Sequence, residues 1–458
     1  MAWRATNGDL QVAGRRSTLL IPFVLACAIL ADRGLVGITT GGRGVLPLLT
    51  IVAPLAALVT IARYGIGRSL GFLGKPAFLL GVLPYLALTA LFPVLGVMFN
   101  AFPERTLLSL TEATTGLSFL VIGAALSSSR DGSWSRWLLV AVTVQFLYAA
   151  GQAVYLSRGP GWELFTPFHE WDSSLQDPLT FVQGRSSGLY FNPNVLGLWA
   201  GFAVILSWRW VTPWLRGTAV ALSVLTLLLS QSRGGAVALL AALVVAALLS
   251  VTSRGGLSAR TLKGFLSFTL AFVVALSITS LVAPEALRGD RFGALLEVLA
   301  VGPQADPNLA GRLDFWAAVT ALNSVYPWGT WGSPELLLGT SVDSTWFRLF
   351  AQGSILYVVA LVSLLGAAFS VSRSAHRLGL RLVAVLVAVA GLSQTPFGYP
   401  VIVLFWVLLG AGLQASVADP IAPHRIPADP LAAGIPVRMR AAGPKPTYEA
   451  TSHHARRE

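Results

Sequence analysis

Three arginines, Arg185, Arg233 and Arg312, lie on the opposite side of the chain's apolar runs from most of its other basic residues. A guanidinium is a planar fork that holds two oxygens of a phosphate or carboxylate at once. Three of them on one side point to an anion, and a phosphate-bearing lipid is the anion that fits best. Near them in sequence stand groups able to take a proton: Asp314 and Asp343 in the segment that carries Arg312, and His169 in an earlier one.

The local sequences decide how each residue is read. Gly184-Arg185-Ser186-Ser187-Gly188 leads into Asn192-Pro193-Asn194, an N-cap and first-turn pair. Asn194 therefore reads either as part of the helix start or as a further candidate site residue, and the arginine before it serves an anion drawn to that helix end. Ser230-Gln231-Ser232-Arg233-Gly234-Gly235 is a tight turn between two apolar runs, where Arg233 also reads as an interfacial side chain whose head group reaches water. After Arg312, residues Leu313, Trp316, Ala317 and Thr320 fall at i, i+3, i+4 and i+7, the spacing of an amphipathic helix on a membrane surface with Arg312 near its start. Asp343 fits an N-cap for the helix that follows, and a capping carboxylate at a cavity mouth can also act as a base.

The elements that must position these groups are membrane helices. The chain has 458 residues, 55% hydrophobic and 11% charged. Its apolar runs approach the ~20 residues that span ~30 Å of hydrocarbon. Spans are expected near 17–31, 45–62, 77–99, 106–127, 137–156, 190–208, 214–230, 235–251, 264–282, 346–369, 378–393 and 398–416. The fold class is therefore all-α, a polytopic membrane protein with about 12 transmembrane helices and a large outer loop, about 283–345, containing short helices. Residues 1–16 form a cytoplasmic N-terminus, 17–416 the transmembrane domain, and 417–458 a tail rich in Pro, Ala, Gly and Arg that reads as disordered.

Orientation follows from charge. With both termini in the cytoplasm, about 22 of the 32 basic residues fall inside, as the positive-inside rule requires. The net charge of +12 then describes a face near anionic lipid, and nucleic acid is not an implied partner. The first apolar run continues past Cys27, the only cysteine, and reads as an uncleaved helix. One cysteine excludes an intrachain disulfide and a thiolate metal site. Glu112 is the one acid deep in an expected span, placed either to hydrogen-bond a buried partner or to line an acceptor cavity.

The order of these motifs resembles the O-antigen ligase and O-antigen polymerase superfamily, bacterial membrane glycosyltransferases that use undecaprenyl-diphosphate carriers. The likeness covers residues 184–360: a Gly-Arg…Asn-Pro-Asn helix start, a Ser-Arg-Gly-Gly turn, a Gly-Arg…Trp start in a large outer loop, a Pro…Gly…Gly segment and a polar pair opening the next helix. The resemblance implies that Arg185 and Arg312 hold the donor diphosphate and that Arg233 belongs to the shared turn. Where ligases of the family carry a His-Asn pair with a catalytic histidine, this chain has Asp343-Ser344, which is closer to polymerase-like members.

The implied enzyme works in the bacterial cytoplasmic (inner) membrane, on an undecaprenyl-diphosphate-linked glycan and a glycan or cell-surface acceptor. Fixed arginines at the leaving diphosphate could substitute for a metal, so the transfer is expected to be inverting, with no metal and no cofactor. Asp343 is the leading base, with Asp314 and His169 as substitutes. Two other classes share the composition: a flippase or exporter of lipid-linked glycans, with basic residues lining a central cavity, and a transferase using a lipid-monophosphate sugar, with acids in the first outer loop.

Overall fold

A computed structural model describes residues 19–30, 48–100, 103–127, 131–155, 185–190, 192–254, 302, 307–331, 334–338, 342–371 and 377–415. Every regular element among them is a helix. In chain order these are α1 (Leu20–Leu30), α2 (Leu48–Tyr64), α3 (Ile66–Leu70), a π-helical turn (Ala77–Val82) running into α4 (Leu83–Asn100), α5 (Pro103–Leu126) and α6 (Asp131–Tyr155). Then come α7 (Pro193–Trp210), α8 (Pro213–Ser230), α9 (Arg233–Arg254), α10 (Pro307–Val325), α11 (Pro334–Leu338), α12 (Thr345–Ser370), α13 (Arg377–Ala390) and α14 (Val403–Ala415).

These helices belong to one compact unit, Met1–Ala418. The expected N-terminal segment 1–16, the ninth span at 264–282, His169 and the tail at 417–458 lie outside the described residues.

Three stretches are long and apolar enough to cross a membrane: Ala77–Met98, Pro213–Ser230 and Thr345–Ser370. Shorter apolar helices fill most of the other expected positions. Their outer faces carry large apolar side chains at helical spacing: Ile51, Leu55 and Leu58 on α2, Val237, Leu240, Val244 and Leu248 on α9, and Ile355, Val359 and Val362 on α12. Apolar stripes of this extent are compatible with a membrane protein, because soluble proteins rarely expose so much contiguous apolar surface to water.

The interior packs through small residues. A methyl group on Gly123 of α5 would lie 2.1 Å from the Val407 carbonyl oxygen of α14, and one on Gly410 of α14 would lie 2.1 Å from that of Leu120. Backbones approach this closely only where side chains are absent, which is how helices associate when lipid provides no hydrophobic drive between them.

Element boundaries depart from expectation where proline intervenes. The last span was expected to run from 398, but residues Pro396–Gly398 and Pro400–Ile402 are two 3-10 turns, and α14 starts only at Val403. Proline fixes φ and has no N–H to donate, so two of them four residues apart hold this segment in short turns. At the seventh and eighth expected spans the starts agree within two residues, since Thr212-Pro213 and Ser232-Arg233 mark them.

Candidate functional site

Arg185 is held by a strap of residues 185–190 that crosses the ends of α6 and α8. Ser186 donates through Oγ to the Ala149 carbonyl at 2.8 Å and through its backbone N–H to Leu229 at 3.0 Å. Gln152 Oε1 accepts the backbone N–H groups of Ser187 and Gly188 at 2.9 and 2.8 Å, and its Nε2 donates to the Gly188 carbonyl at 3.0 Å. Gln145 accepts from Leu189 at 3.1 Å, and the Tyr190 hydroxyl donates to Ala28 at 2.7 Å. Buried glutamines thus serve as backbone partners for a segment that has no ladder of its own.

The strap delivers Arg185 to the junction of two helix starts. Only 9% of the residue is exposed. Its Nε donates to the Ser230 carbonyl at 3.2 Å and its Nη2 to Asn194 Oδ1 at 3.0 Å. Asn192 caps α7, its side chain accepting the Asn194 N–H at 2.8 Å. At the start of α9 the Ser232 hydroxyl accepts the Gly235 N–H at 3.2 Å, which makes Ser232 the cap and Arg233 the first helical residue.

The Ser232 hydroxyl also lies 3.4 Å from Asn194 Oδ1. Two helix N-termini, each favouring negative charge, therefore converge on one guanidinium, with a second arginine on the α9 terminus. Gln231, in the left-handed region at φ 48°, turns the chain from α8 into α9.

The turn at residues 391–394 joins this cluster to the start of α12. A methyl group on Gly234 would lie 2.6 Å from both Gln394 Nε2 and Ser393 Oγ. The Thr345 N–H donates to the carbonyls of Gly391 and Gln394 at 2.9 Å each, and the Ser344 hydroxyl donates to Gly391 at 3.0 Å.

Ser344, and not the expected Asp343, caps α12: its Oγ accepts from the Phe347 N–H at 3.5 Å. The cap falls one residue later because Ser344 is buried and bonded on both sides, which leaves Asp343 projecting outward. There Asp343 Oδ2 lies 3.8 Å from Arg312 Nη2, with the side chains 57% and 35% exposed.

Arg312 is in the second turn of α10, since Pro307 starts that helix five residues ahead of it. The buried stripe of α10 is also rotated by one residue from the expected set. Phe315, Trp316 and Val319 face inward, whereas Ala317 and Thr320 are exposed. Trp316 stacks on Phe347 with centroids 4.8 Å apart and planes at 13°, and Val319 packs with Val342 and Ala351. Contact with α12, rather than with a membrane surface alone, sets the inward face. Asp314, two residues beyond Arg312, is exposed on another side of the helix.

Glu112 stands where the interior opens. It lines a cleft and has a charged neighbour, Arg348, at 3.9 Å. Arg348 is not among the residues selected from the sequence, although it breaks the charge pattern as Arg185 does. It went unselected because it sits within an apolar run. Thr345, Arg348, Leu349 and Gln352 form one face of α12 at i, i+3, i+4 and i+7, and all four line the cleft. Tyr85, Phe92, Tyr357 and Phe397 are the aromatic walls.

Directly beyond Gln352 the helix breaks. Gly353 has φ −141° and ψ 23°, and Ser354 has φ 54° and ψ −154°. Two freed carbonyls find donors in the segment that precedes α12: the Thr330 N–H bonds Ala351 at 2.8 Å and the Trp331 N–H bonds Gln352 at 2.9 Å. Gly329, at φ +88°, makes room for this docking, since a methyl there would lie 2.3 Å from the Gln352 oxygen.

The structure thus gathers Arg185, Asn194 and the Arg233 turn in one cluster, and Arg312 with Asp343 in another. Between Gly234 and the Ser344-Thr345 start of α12 sits the 391–394 turn. No family model matches this sequence, and no curated protein matches it either. Residues and geometry alone therefore support the functional reading.

Proposed function

We propose that the protein is a multi-pass glycosyltransferase of the bacterial cytoplasmic membrane, of the O-antigen polymerase or ligase kind, with about twelve spans and both termini in the cytoplasm. It transfers a glycan from an undecaprenyl-diphosphate-type donor to a glycan or cell-surface acceptor at the outer face. The observation that carries this reading is the convergence of the α7 and α9 N-termini on the buried Arg185, with Arg233 opening α9.

The chemistry is a single displacement. The acceptor hydroxyl oxygen forms a new bond to the anomeric carbon while the bond from that carbon to the carrier diphosphate breaks, and the electron pair leaves on the diphosphate. Arg185 and Arg233 stabilise that charge together with the two helix termini, and Arg312 assists from the outer segment. The acceptor's proton passes to the Asp343 carboxylate, beside which the Arg312 guanidinium lies at 3.8 Å. The anomeric configuration is inverted because attack and departure occur on opposite faces.

The test is the lipid-linked glycan profile of a deletion strain complemented with wild type, Arg185→Ala or Asp343→Asn. Loss of long chains, with single repeat units reaching the surface, supports a polymerase. Long chains stranded on the carrier support a ligase. Full complementation by both variants overturns the reading, and single units trapped at the inner face would identify a flippase.

A further inference from the structure

We propose that residues 325–328 form a re-entrant tip that seats the end of α10 in the boundary layer of the lipid bilayer, on the side where α12 begins. The inference rests on the membrane-spanning part of the reading above and is independent of glycosyl transfer.

The level of that boundary follows from α12. Its 26 residues rise about 39 Å, more than the ~30 Å of hydrocarbon that a span must cross. Residues 351–370 carry no charged side chain, whereas Arg348 lies in the six residues before them. The uncharged stretch matches the ~20 residues of a span, so the boundary falls near Ala351.

Both legs of the turn after α10 are pinned at this level. On the way in, α10 runs alongside the start of α12 in the same direction: Arg312 meets Asp343, Trp316 stacks on Phe347, and Val319 packs with Ala351 as well as Val342. Val325 is six residues further on, about 9 Å along the axis, which carries the end of α10 past Ala351. On the way back, Thr330 and Trp331 bond the carbonyls of Ala351 and Gln352. One turn beyond Ala351, α12 exposes Ile355 and Leu356, the start of its apolar stripe, at the depth to which the tip is carried.

The side chains of the tip suit lipid. Val325, Tyr326 and Trp328 are 70%, 38% and 78% exposed. Along the rest of α10 the exposed described residues are small or polar, Asp314, Ala317, Thr320 and Ser324 among them. Large apolar exposure is thus confined to the end that α12 holds at the boundary, and no charged residue lies between 315 and 331. Tyrosine and tryptophan, apolar bodies with one polar edge, favour the headgroup layer.

The backbone of the turn suits a layer poor in water. The N–H groups of Tyr326, Gly329, Thr330 and Trp331 are bonded to Leu322, Tyr326, Ala351 and Gln352 at 3.0, 2.9, 2.8 and 2.9 Å, and Pro327 has no N–H to place. The Trp331 indole N–H donates to the Trp328 carbonyl at 3.0 Å. Irregular backbone near hydrocarbon persists where its polar groups are met within the protein. Arg312 lies near the other end of α10, about 20 Å back along its axis, so a seated tip fixes the height of that guanidinium above the bilayer.

The experiment uses the full chain with Cys27→Ala, reconstituted in phosphatidylcholine vesicles. One cysteine at a time is introduced and labelled with an environment-sensitive fluorophore: Trp328→Cys, Val325→Cys, Leu240→Cys on the exposed apolar stripe of α9, and Asp314→Cys on an exposed side of α10. Quenching is read with a phosphatidylcholine bearing a nitroxide near the top of its acyl chain and with aqueous iodide. A melting curve for each variant reports folding.

The labels at 325 and 328 should be quenched by the nitroxide lipid as the label at 240 is, and by iodide several-fold less than the label at 314. Val325→Cys retains the indole, so the outcome does not hang on tolerance of the Trp328 replacement. Tip labels that behave as the one at 314 overturn the proposal. Tip labels that escape both quenchers also overturn it, since a protein surface, a second copy of the chain included, would then cover the tip. Absence of lipid quenching at 240 as well would remove the membrane reading itself, whereas lipid quenching at 240 without it at the tip overturns this inference alone.

Discussion

Gly235 packs on the backbone of Gly197 so closely that a methyl group on Gly235 would lie 2.8 Å from the Gly197 carbonyl carbon. This contact lets α7 and α9 bring their N-termini to the same guanidinium. A methyl on Gly197 would in turn come within 2.2 Å of Ser232 Cβ. Gly197→Val should therefore lower stability by about 1–3 kcal/mol or more, as overpacking does. Gly217→Ala, at a helical position with open space around it, should raise stability by about 0.5–1 kcal/mol. Thermal denaturation in detergent checks both, and equal effects would contradict the close approach.

Arg185→Lys should fail almost as completely as Arg185→Ala. One ammonium cannot reproduce a fork that serves both Ser230 and Asn194. The glycan profile should show loss of chain transfer for both variants. Asn194→Ala should add little on top of Arg185→Ala, because the two residues act as a unit.

The pair Arg312 and Asp343 separates function from stability. Both side chains are substantially exposed, so the pair contributes at most about 1 kcal/mol. Arg312→Ala and Asp343→Asn should leave the melting temperature nearly unchanged while transfer falls by orders of magnitude. A large drop in melting temperature would instead mean that the pair is structural.

Ser344→Ala removes a buried cap and the hydrogen bond to Gly391, and should cost about 1–2 kcal/mol. Ser344→Asp should not rescue it, since a carboxylate has no proton to give the Gly391 carbonyl. Denaturation of the two variants side by side decides this.

Ser354 occupies a backbone region that only glycine adopts freely. Ser354→Gly should stabilise the protein by about 1 kcal/mol, read as a higher melting temperature. No change would show that the surrounding packing already compensates for the conformation.

Much of this architecture is legible in the sequence, and the parts that are not have a physical reason. Helix starts at Pro193, Pro213 and Arg233 follow from caps and prolines, which act locally. The grouping of Arg185 with Asn194 is similarly local, nine residues apart on one strap and one helix start.

Arg348 is different. Its significance depends on Glu112, which lies more than two hundred residues away, and no spacing rule reaches that far. The inward face of α10 was read from periodicity, which fixes the pitch of a stripe; the partner, here α12, fixes its rotation. The break at Gly353-Ser354 is equally hard to foresee, because Gly within an apolar run is common and the docking segment that stabilises the break lies upstream.

That docking sets an order for biogenesis. Gly329, Thr330 and Trp331 precede α12 in the chain, so they leave the ribosome before the helix whose carbonyls they complete. When α12 forms, the donors for its freed carbonyls already exist, and the two halves of the helix can settle without a stranded polar group. Moving this tripeptide downstream of α12, by circular permutation for example, would reverse the sequence of arrival and leave the break unmet while the helix folds.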